Sequence, residues 1–301
     1  MVDLTMQAFL RQQTLMLVQG IRRYAALLRT PDAEPEHIHQ YRVHIRRLRS
    51  ALTTLRPLFG KNLIRSLRGE LRNLVTPTSA ERDDVVLVEQ IMKLLNDPPV
   101  LAPGPFVLPE PGDPIMQAWT RQHEQLQREL REQIARTLRD TRSRSGLAST
   151  LGAVLALNRL PRRSEPDPKA FGTQAVRNAA RRIERRLGQR AKERDTAFWH
   201  RLRLEFKALR YAADFYGPVL GNQGGRIVRR ARRLQNHLGD LHDYDEILKR
   251  LPQDPWLPAR DRAAILRALE VKRGDLLERV QEETQSWLAW WRKRRQRGDA
   301  F

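Results

Sequence analysis

Positively charged side chains repeat along one side of a predicted helix near the amino terminus. In the segment HIHQYRVHIRRLRSALTTLRPLFG (residues 37–60), the recurring residues are His39, Arg42, Arg46 and Arg49. At about 100° per residue, these four side chains fall within roughly 80° of one another and form a column about 15 Å long. Guanidinium and imidazole groups in a row are suited to binding an extended oxyanion, because each guanidinium can donate to two oxygens at once.

The same column occurs a second time, 161 residues further along the chain. Of the 34 residues from 39 to 72, ten are identical to the residue 161 positions later. An Arg- and Leu-rich composition would produce only about two or three matches by chance in one register. The second column consists of His200, Arg203, Lys207 and Arg210. We therefore infer an internal duplication, and we expect the two columns to converge on one shared cradle.

The helix after each column repeats the pattern with three more arginines. These residues are Arg65, Arg68 and Arg72 in the first half, and Arg226, Arg229 and Arg233 in the second. Like charges at such spacings destabilise an isolated helix by some tenths of a kcal/mol per pair. A solvated basic face is the simpler explanation for one such helix. Because both copies retain the cost, we interpret all fourteen positions as an anion-binding surface.

Composition supports a polyanionic partner. The 301 residues include 56 Lys and Arg against 35 Asp and Glu, which leaves a formal net charge of +21. Such an excess is typical of proteins that bind nucleic acid, polyphosphate or an anionic membrane surface. Arg accounts for 48 of the 56 cations, and the codon bias of a GC-rich genome is an equally good explanation for that preference. With no Cys, a disulfide, a thiolate nucleophile and a Cys metal site are excluded.

Apolar residues recur every three or four positions, which predicts an all-α fold. The predicted helices cover 3–29, 36–56, 61–75, 81–95, 115–143, 147–159, 171–192, 197–216, 226–238, 241–250 and 259–293. In the two column helices, the predicted core residues are Tyr41, Ile45, Leu48, Leu52 and Leu55, matched by Phe206, Leu209, Ala213 and Tyr216. We expect two bundles of four-helix type related by pseudo-twofold symmetry.

Two breaks organise the chain. The Pro-rich segment 96–114 predicts a surface loop, and the break at 160–172 divides the chain into an N-terminal half (1–160) and a C-terminal half (161–301). No segment is both apolar and long enough to span a bilayer, and the amino terminus lacks a signal-peptide pattern. We expect an unprocessed cytoplasmic protein.

Acidic and histidine side chains complete the candidate site. Asp83, Asp243 and Asp240 are predicted to orient an arginine of the columns or to cap a helix. His39 and His200 are predicted to donate to phosphate oxygens, more strongly below about pH 6.5; the alternative is a local role in capping or packing at the start of each column. Metal binding is disfavoured because their column neighbours are cations. His37, His44 and His123 have no counterpart in the other half, so no role is assigned to them.

These motifs resemble the CHAD family, the conserved histidine α-helical domain. HQYRVHIRRLR resembles its pattern HxxRVxxRRLR, and HRLRLEFKALRYAADF is similar to HxLRxxxKxLRYxxE, with Asp214 where the family commonly has Glu. ERDD and LQNHLGDLHDYD resemble its later RD and LGxxxD signatures, whereas the TPTSA insertion before ERDD departs from the pattern. The ExExK signature of the CYTH triphosphatase domain that precedes many members is absent, so we expect a stand-alone module.

The resemblance implies a basic groove that binds inorganic polyphosphate through the Arg, Lys and His residues of these helices. We expect no catalytic residue, no cofactor and no metal. Association with polyphosphate granules is one biological role compatible with this function. Oligomeric state is left open.

Two alternatives remain from the residues themselves. The tail WLAWWRKRRQRGDAF combines Trp with clustered cations, for which a solvated helix end is the simpler explanation. The same residues are also suited to stacking on bases and binding phosphates, so nucleic acid or nucleotides are a second class of partner. The dipeptide His242-Asp243 is typical of helical metal-dependent phosphohydrolases. Its counterpart in the first half contains Arg82, which cannot bind a metal, so a phosphohydrolase is the weaker alternative.

Overall fold

Every regular element in the described part of the chain is helical. The computed structural model describes residues 5–30, 33–100, 107–159, 165–188 and 194–296. Within these ranges the α-helices are α1 (Met6–Leu27), α2 (Pro35–Thr54), α3 (Arg56–Phe59), α4 (Lys61–Asn73), α5 (Ser79–Asn96), α6 (Pro114–Arg139), α7 (Thr141–Ala156), α8 (Pro168–Leu187), α9 (Thr196–Phe215), α10 (Gly217–Arg250) and α11 (Ala259–Gln296). The all-α prediction is confirmed. No helix in these ranges has the length and apolarity needed to cross a membrane.

Helices α2 and α9 carry the two columns and have matching bounds. Their first and last residues each differ by 161 positions. Pro35 opens α2, where its missing N–H costs nothing. Asp195 caps α9, because its side chain accepts a hydrogen bond of 2.7 Å from the backbone N–H of Phe198. The predicted core residues are buried in both helices, which confirms the predicted core faces.

The column helices pack directly against each other. Helix α1 covers α2, α8 covers α9, and α2 contacts α9. The Thr54 hydroxyl at the end of α2 lies 2.8 Å from the Tyr216 hydroxyl at the end of α9. The larger hydrophobic cluster includes both helices, and a smaller one joins α5 and α6 to α10 and α11. Both clusters include residues from before and after residue 160. The division of the chain into two halves at that point stays a prediction.

Several predicted boundaries are wrong. The separate helices at 226–238 and 241–250 form one continuous helix, α10. The predicted helix 115–143 ends at Arg139, because Asp140 has an extended backbone and caps α7 instead. The predicted break at 160–172 is shorter, since α8 begins at Pro168; residues 160–164 lie outside the described ranges. In the predicted loop 96–114, residues 97–100 and 107–113 are not helical, and 101–106 also lie outside those ranges.

A glycine with positive φ redirects the chain after each column helix. Gly60 has φ 88° between α3 and α4, and Gly221 has φ 56° and ψ −140° near the start of α10. A side chain is strained in this conformation, whereas glycine adopts it readily. These glycines occupy equivalent positions at the shift of 161. They set the direction of the helix that follows each column helix, α4 in the first half and α10 in the second, and so the direction of its three arginines.

Replacing Gly221 with alanine should therefore destabilise the protein. The expected loss is about 1–3 kcal/mol, because alanine must adopt a backbone conformation that is almost restricted to glycine. Gly239→Ala in the same helix is the matched control, since an added Cβ there meets no atom within 4 Å. That variant should be neutral or more stable by about 0.5–1 kcal/mol. Urea unfolding measures both, and equal effects of the two substitutions would contradict the prediction.

Candidate functional site

A cleft between the helices is lined by residues from both columns. It has a volume of about 1010 Å³ and is bordered by α2, α5, α6, α9 and α10. Five of the fourteen predicted residues line it: His39, Arg42, Arg46, Arg203 and Lys207. The packing of α2 against α9 therefore places cations from both halves of the chain around one cavity.

The cations of the cleft repel one another. Burial, followed by repulsion from Arg203 and Arg46, lowers the pKa of Lys207 to about 6. Burial is also the largest cause that lowers the pKa of Arg42 and of Arg203, and Arg46 adds repulsion at both. Lys207 is thus largely neutral at pH 7 in the free protein. A bound anion would favour its protonated form.

The histidines of the columns have similar surroundings. Burial and then the charge of Arg82 lower the pKa of His39, whereas burial and then Arg203 lower that of His200. His200 Nδ1 lies 3.2 Å from Nδ1 of His242, and burial together with Arg203 lowers the pKa of His242 to about 4. One ring of this pair donates and the other accepts, so at least one is neutral. A nearby anion would raise these pKa values and favour proton uptake.

Two carboxylates accompany the deepest arginines. Burial raises the pKa of Asp83 and of Asp243, and attraction to Arg42 and Arg203, respectively, opposes that shift. Each acid therefore lies near an arginine of its own half. Among the described residues, however, no hydrogen bond joins either pair. Asp240 increases the pKa of Asp243 by like-charge repulsion, and its own role as an orienting or capping carboxylate stays a prediction.

Arg42 is oriented by hydroxyl groups. Its Nη1 donates to Thr78 Oγ1 at 2.8 Å and lies 3.3 Å from Ser79 Oγ. Within the described ranges, four column arginines and one arginine of α4 have a buried Nε with no hydrogen-bond partner: Arg42, Arg49, Arg203 and Arg210 in the columns, and Arg68 on α4.

The arginines of α4 extend the first column. Burial, and then repulsion from Arg68 and Arg72, lowers the pKa of Arg49. Arg49 in turn follows Arg46 on α2, so the cations continue from the cleft towards α4. Arg65 is exposed on the same helix. In the second half Arg210 ends the column, and its guanidinium lies 4.6 Å from the ring centroid of Tyr211.

The arginines of α10 do not copy this arrangement. The buried residues Ile64, Leu67 and Leu71 of α4 correspond to Gly224, Ile227 and Ala231 of α10. These pairs are separated by 160 residues, whereas the buried residues of α2 and α9 are separated by 161. A one-residue offset rotates a side chain by about 100° around the helix.

The predicted equivalence of the two arginine sets is therefore wrong in the structural register. Val228, not Arg229, has the position of Arg68. Arg226, Arg229 and Arg233 are exposed on α10, and Arg233 pairs with Glu283 at 2.9 Å. Within the described ranges, Arg233 is the one member of the fourteen that lies within ion-pair distance of a carboxylate. A ligand role for this set stays a prediction.

Four further basic side chains line the cleft and were not predicted as site residues. They are Arg82, His242, Lys249 and Arg250. One signal was available, because Arg82 and His242 are 160 residues apart and thus correspond in the structural register. Arg250 lacked any such signal, since only tertiary packing brings the end of α10 beside α5.

The Trp-rich tail contributes chiefly to the core. Trp287 and Trp291 are each 2% exposed, and Arg230 lies 4.6 Å from the ring centroid of Trp290. Residues 297–301 lie outside the described ranges. No Phe, Tyr or Trp lines the cleft in the described part of the chain. The stacking surface that a nucleic-acid partner favours is therefore not formed by Trp287 or Trp291.

Comparisons with known proteins agree with the fold. The family model described as CHAD domain matches residues 16–252. The crystal structure of the CHAD domain from the plant Ricinus communis is similar, with a TM-score of 0.66, 20% identity, and coverage of 94% of this chain and 92% of that chain. PptA from Streptomyces chartreusis is similar with a TM-score of 0.66, 17% identity, and coverage of 93% and 98%. The sequence matches none of the curated proteins with which it was compared.

Replacing Lys207 with methionine should stabilise the free protein. The lowered pKa means that folding removes a proton from Lys207, so wild-type stability rises as pH increases from about 6 towards the unfolded pKa of about 10.4. Methionine has no such penalty, and its expected advantage is on the order of 1 kcal/mol at pH 7. This advantage should shrink as pH rises to 9.

Urea unfolding at pH 6.5, 7 and 9, without added phosphate, measures the effect of Lys207→Met. Lys249→Met, which also removes a cleft lysine, is the control because Lys249 is exposed. It should change stability by less than about 0.5 kcal/mol. An advantage of Lys207→Met that grows with pH would contradict the assigned cause.

Proposed function

The chain belongs to the CHAD domain family, and on that premise we propose that its cleft binds inorganic polyphosphate without cleaving it. The single observation that carries the proposal is the convergence of cations from α2 and α9 on one cavity. The ligand class follows from the family motifs around His39 and His200. Such binding would also retain the protein at polyphosphate granules.

The binding mechanism is multivalent charge neutralisation. A phosphate chain presents a negative charge at every unit, and Arg42, Arg46 and Arg203 present guanidinium groups around the same cavity. Each contact contributes about 1.5–3 kcal/mol before the cost of ordering the chain. Binding also relieves the mutual repulsion of the cleft cations. Affinity should decrease steeply with salt, because released counterions lose their entropic advantage.

The proposal contains no catalytic step. A helical phosphohydrolase would use His242 and Asp243 to hold a metal ion, but both lie near Arg203 and Lys207, whose positive charge opposes metal binding. The described residues contain no group of three His, Asp or Glu side chains placed to hold a metal ion. These features favour a binding role for the cleft.

Nucleic acid is the competing ligand that the binding experiment must exclude. It shares the phosphate backbone, so it would gain the same charge contacts. Single-stranded nucleic acid also gains from stacking its bases on aromatic rings, and the described lining of the cleft has no Phe, Tyr or Trp. Preference for polyphosphate over single- and double-stranded DNA at physiological salt would support the proposal. Equal affinity would favour a general polyanion-binding protein.

Removing two cleft cations should weaken polyphosphate binding much more than removing two exposed ones. We expect Arg46→Gln with Arg203→Gln to reduce the affinity for long-chain polyphosphate by about a hundredfold, since two charge-assisted contacts are lost. Arg226→Gln with Arg229→Gln removes the same charge from the exposed face of α10. Because Arg226 and Arg229 do not line the cleft, this matched control should lose less than about threefold, and a larger loss would support the ligand role predicted for that set.

Isothermal titration at physiological salt measures both double variants, and circular dichroism checks that helicity is unchanged. Equal losses in the two variants would contradict a ligand site in the cleft. They would indicate instead that net charge alone governs binding.

Polyphosphate affinity should increase as pH falls from about 8 to about 6. In the free protein the pKa of Lys207 is about 6, and a bound polyanion raises it, so binding takes up protons. The affinity gain follows because proton uptake and ligand binding are linked.

Titration at pH 7 in two buffers of different ionisation enthalpy counts the protons taken up. Lys207→Arg keeps the charge but has a pKa too high to titrate in this range. It should take up fewer protons than wild type. Unchanged proton uptake in that variant would show that Lys207 is not the source.

A further inference from the structure

A buried histidine lies behind the cleft, between two carboxylates. His123 on α6 is 2% exposed, Asp84 on α5 is 0% exposed and Asp254 is 7% exposed. His123 Nδ1 lies 2.9 Å from Asp84 Oδ1, and Nε2 lies 3.1 Å from Asp254 Oδ2, both within hydrogen-bond distance. Because both ring nitrogens face carboxylate oxygens, the ring is an imidazolium.

The protein environment keeps this proton in place. Burial is the largest single influence and lowers the pKa of His123, but the hydrogen bonds to Asp254 and Asp84 and the negative charge of both carboxylates together raise it above its usual value. Asp254 is held in turn, since Trp119 Nε1 donates to its side chain at 3.2 Å and the backbone N–H of Leu257 donates at 3.1 Å. A neutral ring would leave one carboxylate facing a lone pair in a buried site, which is costly.

Asp84 connects the buried imidazolium to the cleft. Its Oδ1 accepts a hydrogen bond of 2.9 Å from Arg250 Nη2, and its Oδ2 accepts one of 3.0 Å from Gln127 Nε2. Arg250 lines the cleft, and its side chain remains 43% exposed. One end of the guanidinium is thus tied to the interior while the rest is available to a ligand.

The second half contains a similar pair that does not reach the cleft. Asp245 on α10 is 7% exposed and accepts a 2.6 Å hydrogen bond from Arg273 Nε on α11. Arg273 does not line the cleft. The two pairs have the same chemistry, but only Asp84 also bonds a histidine. The Asp245–Arg273 bond can therefore serve as a control. Breaking it should affect stability in the same way as breaking the Asp84–Arg250 bond, but it should not affect the ligand site.

We infer that His123 is a positioning residue for the cleft, acting through Asp84 to hold Arg250 where it contacts a bound polyphosphate. The inference rests on the proposed function of the cleft. His123 does not touch the ligand. Its imidazolium fixes the orientation of the Asp84 carboxylate, and that carboxylate selects one orientation of a long, otherwise flexible arginine side chain.

A double-mutant cycle tests this chain of contacts on the full-length protein with long-chain inorganic polyphosphate as the probe. Arg250→Gln should lower affinity about tenfold, which equals one lost contact of about 1.4 kcal/mol. His123→Gln should lower it nearly as much, and the double variant should lose no more than Arg250→Gln alone. Arg250→Lys keeps a cation in the cleft, so its affinity should be close to that of the wild type and well above that of Arg250→Gln.

Two controls separate positioning from general destabilisation. Arg273→Gln breaks the similar bond outside the cleft and should change affinity less than about threefold. His123→Gln combined with Arg46→Gln should show multiplied losses, because Arg46 does not bond Asp84. Should His123→Gln fail to unfold cooperatively, Asp84→Asn tests the same connection with an isosteric side chain.

The positioning role would be overturned if the fold-loss of the His123→Gln and Arg250→Gln double variant equalled the product of the two single losses. Full affinity in a folded His123→Gln variant would overturn it as well. An absence of binding by the wild-type protein would overturn the proposed function and this inference together. Normal wild-type binding with multiplied losses would overturn the positioning role alone.

Discussion

Packing of α2 against α9 is the constraint on which the site depends. The apolar faces of these helices contain fully buried side chains such as Tyr41, Ile45 and Phe206, and each such residue contributes about 1.5–3 kcal/mol to folding. Many such residues together outweigh the repulsion between the columns and the cost of burying Lys207. Core formation therefore brings the two cationic columns together although they repel each other, and an anion is the partner that relieves the repulsion.

The short-range features of this arrangement were predictable from sequence. A repeat at 161 residues and helical periodicity identified α2, α9 and their buried faces, because those features depend on spacing within one helix. The register of α10 was not predictable in the same way. Identical residues favoured 161 for the arginines, whereas buried residues such as Ile227 and Ala231 show that packing follows 160. Where apolar burial and charged identity conflict, burial determines which way a helix faces.

Tertiary packing also explains the residues that sequence patterns missed. Arg250 enters the cleft from the end of α10, and Asp84 holds it from α5, although 166 residues separate them. His123 had no counterpart in the second half, so the duplication offered no signal for it. The Trp-rich tail, by contrast, suggested a binding surface for nucleic acid where the structure has buried side chains. Trp287 and Trp291 are stacked at 5.9 Å within the core, which composition alone does not distinguish from a surface suited to nucleic acid.

The divergence of the two halves makes the basic surface beyond the cleft asymmetric. On the first side Arg49 continues into Arg68 and Arg72 of α4, whereas Val228 has the position of Arg68 in α10. Asp83 and Asp243, by contrast, accompany Arg42 and Arg203 in both halves. These acids reduce repulsion in the free protein without direct hydrogen bonds to the arginines. Because a ligand must then compete with them for the guanidinium charge, the site balances stability of the empty cleft against affinity for a polyanion.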